Sequence, residues 1–99
     1  MADSSKRRIL VVDDEEDLCE ILRFNLENEG YDVDTALSAE EALNMDIQQY
    51  SLILLDVMMG KTSGFQMAKL LKQNDETAKV PIIFLTARNS ENDAVTGLT

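Results

Sequence analysis

The sequence predicts an α/β fold: a parallel sheet with helices on both faces. Three observations carry this expectation. Apolar runs alternate with segments of helical period in the order strand, helix, strand, helix. The runs over residues 9–12, 52–55 and 80–85 are almost uninterrupted by polar side chains, as strands buried on both faces require. The segments between them have room for helices of about ten residues, which implies right-handed crossovers between parallel strands.

The first strand, Ile9-Leu10-Val11-Val12, runs straight into Asp13 and Asp14. Ahead of it Lys6-Arg7-Arg8, the only basic run, reads as a solvated lead-in that keeps the edge of this strand polar. Asp14 is placed to cap the next helix, with Glu15, Glu16 and Asp17 in its first turn, where the macrodipole favours negative charge. Leu18, Ile21, Leu22 and Leu26 then repeat at helical spacing, and Cys19 flanks that stripe as a small residue at the core edge rather than a reactive thiol. Gly30 sits where a C′ residue ends the helix.

Tyr31, Val33 and Thr35 alternate with Asp32 and Asp34, which predicts a strand at a sheet edge. Ser38 and Glu41 have capping-box spacing ahead of Ala39, Ala42 and Leu43. The apolar run over 52–55 ends in Asp56, and Gly60 to Gly64 forms a turn before a helix carrying Phe65, Ala68 and Leu71. The run over 80–85 tolerates Pro81 near its start and ends at Thr86. Asn89 or Ser90 can start a last helix with Ala94, Val95 and Leu98.

With 99 residues, 44% of them hydrophobic, the chain can bury one core, so residues 1–99 read as a single domain. Nine Lys and Arg against nineteen Asp and Glu give a formal charge of −10, which argues against a nucleic-acid backbone binder. The short apolar run before Asp13 is not a signal peptide, and nothing suggests a membrane partner. The single cysteine forms no intrachain disulfide and suits a reducing cytoplasm. Histidine is absent, which removes Ser-His-Asp and Cys-His catalysis and most transition-metal sites.

Chemistry is therefore left to carboxylates, hydroxyls, lysines and backbone groups. In open α/β sheets ligands bind beyond the carboxyl ends of the strands, where Asp13, Asp14, Asp56 and Thr86 all fall. If the strands ending at Val12 and Leu55 are neighbours, three carboxylates converge. Two charges about 5 Å apart repel by roughly 3 kcal/mol at an effective dielectric of 20, so relief by exposure, protonation or a cation is required. Acid at a helix start is common for dipole reasons alone, but an aspartate closing a four-residue apolar strand is costly unless exposed or paired. A hard divalent cation suits these oxygens, Mg²⁺ in particular, since it keeps waters that a phosphate can displace. Asp56 could then act as a nucleophile toward a phosphoryl group, with the Thr86 hydroxyl meeting a phosphoryl oxygen.

These residues resemble the receiver domain of bacterial two-component response regulators, most closely the receivers that precede a winged-helix DNA-binding domain. The resemblance is carried by Ile9-Leu10-Val11-Val12-Asp13-Asp14-Glu15, by Leu54-Leu55-Asp56-Val57-Met58-Met59 with Gly64 following, and by Pro81-Ile82-Ile83-Phe84-Leu85-Thr86-Ala87. It implies a flavodoxin-like fold with strand order 2-1-3-4, and Asp56 as acceptor of phosphate from a sensor histidine kinase. It further implies Asp14 as a direct Mg²⁺ ligand, Asp13 acting through water or hydrogen bonds, and the carbonyl of Met58 completing the coordination. Thr86 would follow the phosphoryl group as a switch and the backbone of Ala87 would help to hold it, so that phosphorylation biases a surface read by partners and, through an output domain, transcription.

Two features depart from that pattern. Gly60 stands where the family usually has proline, and the sequence stops at Thr99, before the fifth strand with its lysine and the fifth helix. Neither Lys61 nor Lys79 occupies that lysine's position. The expected consequence is an exposed apolar fourth-strand edge that favours self-association or swapping. The competing reading is a receiver-like interaction or dimerisation module without efficient phosphorylation. An enzyme with external turnover is disfavoured, because Met58 stands where aspartate-nucleophile phosphotransferases carry a second acid, and no glycine-rich turn supports a dinucleotide site.

Overall fold

The computed structural model describes residues 7–57 and 63–85. Within them four parallel strands, β1 (Arg8–Val12), β2 (Asp32–Ala36), β3 (Leu52–Asp56) and β4 (Ile82–Leu85), form one sheet in the order β2-β1-β3-β4. Helix α1 (Glu16–Asn28) lies on one face; α2 (Ala39–Leu43) and α3 (Gly64–Gln73) lie on the other. Central β1 is buried from Ile9 to Val12: Leu10 and Val12 meet the α2/α3 face and Ile9 and Val11 the α1 face. That two-sided burial explains its uninterrupted apolar run. It also corrects the reading of Arg8 as an edge residue, since β1 has a neighbour on each side. Arg8 instead reaches across to Asp34 of β2, with Nη2 3.1 Å from Oδ2, and lies over the Tyr50 ring.

The element boundaries follow local chemistry. Gly30 adopts φ +99°, its N–H donates to the Glu27 carbonyl and that of Tyr31 to Leu26, the 5→2 and 6→1 bonds of a Schellman ending to α1. Ser38 caps α2 by accepting from the Glu41 N–H at 3.0 Å. The reciprocal bond lands one residue early, from the Leu37 N–H to Oε1 of Glu41. The reciprocal capping box that is complete opens α3: Ser63 accepts from the Gln66 N–H and donates its own N–H to Oε1 of Gln66, both at 3.2 Å.

Three expectations need correction. In α1 the buried residue is Cys19, whereas Ile21 is exposed, because Cys19 faces Val11 and Val33 and Ile21 is turned about half a turn away. In α3 the inward residues are Gly64, Met67 and Leu71, and Phe65 is 60% exposed with its ring against Phe84, 5.0 Å between centroids. The last strand starts at Ile82; Val80 is buried in a turn that its N–H closes on the Thr77 carbonyl, and Pro81 accepts the Ile53 N–H. Among the described residues β4 is the outer strand on this side, with Ile83 and Phe84 exposed. The helix expected from Asn89 or Ser90 lies outside the described residues.

Candidate functional site

The order β2-β1-β3 makes the gap between the carboxyl ends of β1 and β3 the point where successive connections leave to opposite faces. The register pairs Val12 with Leu55, so Asp13 and Asp56 emerge side by side from adjacent strands. Asp13, Asp14 and Asp56 each place one carboxylate oxygen within 4.8 Å of the other two. Asp13 is 2% and Asp56 4% exposed, while Asp14 faces solvent. The three acids expected to converge therefore do so.

Asp13 is held firmly. Its N–H donates to the Ala36 carbonyl at the end of β2 (3.1 Å), its Oδ1 accepts from the Glu15 N–H (2.9 Å) and its carbonyl accepts from the Cys19 thiol (3.4 Å). The turn into α1 is thus made by Asp13, and Glu15, not Asp14, is the N-cap residue. This leaves Asp14 exposed beside the cluster. Burial pushes the Asp13 carboxyl above the ordinary carboxylate range; the charges of Asp56, Asp14 and Glu15 push the same way and the Glu15 hydrogen bond partly opposes them. Burial and the nearby Asp13 charge also push the Cys19 thiol up to about 11, so it is inert as a nucleophile.

Asp56 ends β3, with Oδ2 fully buried. The backbone just after it is fixed from two directions, by the Val57 N–H donating to the Leu85 carbonyl at 3.4 Å and by the Gly64 N–H donating to the Val57 carbonyl at 2.9 Å. A Cβ on Gly64 would overlap the Asp56 carbonyl oxygen and lie 2.9 Å from the Asp56 carbonyl carbon. Gly64 is therefore required by close approach inside a helix, not by a turn. The spacing of Ser63 and Gln66 is a capping-box signal that the reading of residues 60–64 as a turn passed over, whereas the Gly64 contact and the Cys19 hydrogen bond carry no local signal. Met58, Thr86 and Ala87, expected at the site, lie outside the described residues, as does Lys61. Lys79 is exposed in the turn before β4, at the amino end of that strand.

The donor set fits a hard divalent cation, since all three side chains offer anionic oxygen and no histidine or thiolate competes. Among the described residues no helix is long and apolar enough to cross a membrane.

Comparison with known proteins agrees with this geometry. The family model described as "Response regulator receiver domain" matches residues 9–99. The chain is 45% identical over 92 residues to the phosphate regulon transcriptional regulatory protein PhoB of Rhizobium meliloti, covering 92% of this chain and 40% of that protein. It is 46% identical over 93 residues to the alkaline phosphatase synthesis transcriptional regulatory protein PhoP of Bacillus subtilis, covering 93% and 38% respectively. The chain thus spans about two fifths of the length of these relatives. Among solved structures, the chemotaxis protein CheY4 of Vibrio cholerae superposes with a TM-score of 0.79 at 28% identity over 95% of this chain and 79% of that one. The N-terminal domain of a receiver protein from Methanoculleus marisnigri gives 0.77 at 32% identity, over 91% and 74%. With the parallel 2-1-3-4 sheet, the acidic cluster at its switch point and these matches, the chain belongs to the receiver-domain family of two-component response regulators.

Proposed function

We propose that the domain is a phosphorylation-driven switch in which Asp56 accepts a phosphoryl group with the help of Mg²⁺. The observation that carries this reading is the convergence of three carboxylates within 4.8 Å at the end of two adjacent strands, two of them almost wholly buried. Asp13, Asp14 and Asp56 would hold the cation, with the Met58 carbonyl as a further ligand. Bound Mg²⁺ would offset the charge on the incoming phosphoryl group and orient it. Asp56 attacks phosphorus through a carboxylate oxygen; the new O–P bond forms as the bond to the donor's leaving group breaks and that group departs with its electron pair. Thr86 and the Ala87 backbone would then contact the phosphoryl oxygens.

The donor we propose is a sensor histidine kinase, and the relatives named as transcriptional regulators suggest control of transcription through a part of the protein beyond these 99 residues. The acidic charge argues that this domain itself does not touch nucleic acid. A reducing cytoplasmic setting suits the buried free thiol. No turnover of an external substrate is expected, since the product stays on Asp56. Ile83 and Phe84, exposed on the outer strand among the described residues, support self-association.

The test is incubation of the chain with a small phosphodonor and Mg²⁺, read by intact mass. A single phosphoryl adduct that disappears on chelation and in Asp56→Asn is expected. An adduct that survives in Asp56→Asn would place the acceptor elsewhere, and none under any condition would favour an interaction module.

A further inference from the structure

We propose that Cys19 is a positioning residue for the acidic cluster: by donating to the Asp13 main-chain carbonyl, its thiol holds the Asp13 carboxylate in the orientation that a divalent cation requires. The inference rests on the Mg²⁺ reading of the site and adds a residue that takes no part in coordination or phosphoryl transfer.

Cys19 is the fourth residue of α1 and is 2% exposed, packed between that helix and the strand ends. Three hydrogen bonds close a ring through it. Its thiol donates to the Asp13 carbonyl at 3.4 Å, its N–H donates to the Glu15 carbonyl at 3.1 Å, and the Glu15 N–H donates to Oδ1 of Asp13 at 2.9 Å. With the Asp13 N–H bound to Ala36, both main-chain polar groups and one carboxylate oxygen of Asp13 are fixed. The turn and the first turn of α1 therefore move as one body. A small side chain is needed in that buried space, and one with a donor keeps the carbonyl from being stranded there. Groups that orient metal ligands without touching the metal commonly change affinity about 10–100-fold, and a thiol is a weak donor, so an effect at or below the lower end is expected.

The experiment compares the 99-residue chain with Cys19→Ala, Cys19→Val and Cys19→Ser. Mg²⁺ affinity is taken from titration of amide resonances, and the thermal midpoint is measured without divalent cation. Loss of the donor in Ala and Val is expected to weaken Mg²⁺ binding about three- to tenfold, and the hydroxyl of Ser to restore it to within about twofold. The Glu15 amide resonance should move in the two variants without a donor and return in Ser. A purely structural role would shift the midpoint and leave Mg²⁺ affinity untouched. Parent-like affinity in a folded Ala or Val variant overturns the positioning role, as does a Ser variant no better than Ala. A parent chain that does not bind Mg²⁺ overturns the metal reading itself.

Discussion

Asp13 carries the conflict at the centre of the site. Its carboxyl is buried beside two other acids, and its proton is bound more tightly in the folded chain than in the unfolded one. With the folded value raised above the ordinary 3.8, its contribution favours folding below that pH and turns against folding as pH rises through the raised value. Without divalent cation, Asp13→Asn is therefore expected to stabilise the chain at neutral pH by about 1 kcal/mol, a fraction of the roughly 3 kcal/mol that one close pair repels. Asn retains an acceptor for the Glu15 N–H. Thermal melts in chelator should show the advantage at pH 7 and its loss near pH 4, and added Mg²⁺ should stabilise the parent more than the variant. A variant less stable than the parent at pH 7 in chelator would contradict the repulsion argument. Asp13 and Asp56 were legible because each closes an apolar run, where charge is costly without a purpose, and Asp14 because it follows Asp13 directly. Cys19 and Gly64 were not, because what they touch lies across a turn or on another element.

At the scale of elements, the far end of the sheet is tied by Tyr50, Asp34 and Arg8. The Tyr50 hydroxyl donates to Oδ2 of Asp34 at 2.7 Å, and the Arg8 guanidinium meets the same oxygen at 3.1 Å. Edge strand β2 is thereby joined to β1 and to the segment before β3. Burial, then the Asp34 hydrogen bond and charge, push the Tyr50 phenol up to about 12, with Arg8 opposing. Since this lies above the unfolded value near 10, the contribution is complete below pH 10 and fades as pH rises toward 12. Tyr50→Phe should cost about 1 kcal/mol at pH 7 and show a flatter loss of stability from pH 10 to 12 in denaturant titrations. Equal slopes in the two chains would remove Tyr50 from that role. The strands were readable from their unbroken apolar runs. Helix faces were less so, since Ile21 and Phe65 stand at helical spacing from other apolar residues yet lie outside the buried stripe, and periodicity alone does not say which side meets the sheet.

For the whole molecule, buried strands joined by crossovers implied a parallel sheet and the family resemblance implied its 2-1-3-4 order, and it is this order that gathers acids distant in sequence. Ile83, 52% exposed on β4, the outer strand on this side among the described residues, predicts concentration-dependent self-association, weakened by Ile83→Lys and measured by sedimentation. A chain monomeric at all concentrations would count against it.

The most direct measurement is a two-dimensional amide spectrum of the chain titrated with Mg²⁺. Dispersed resonances with saturable shifts centred on Asp13, Asp14, Glu15 and Asp56, abolished in Asp56→Asn, are the expected result. A dispersed spectrum indifferent to Mg²⁺ would contradict the assignment of these carboxylates as the metal site of a phosphorylation switch.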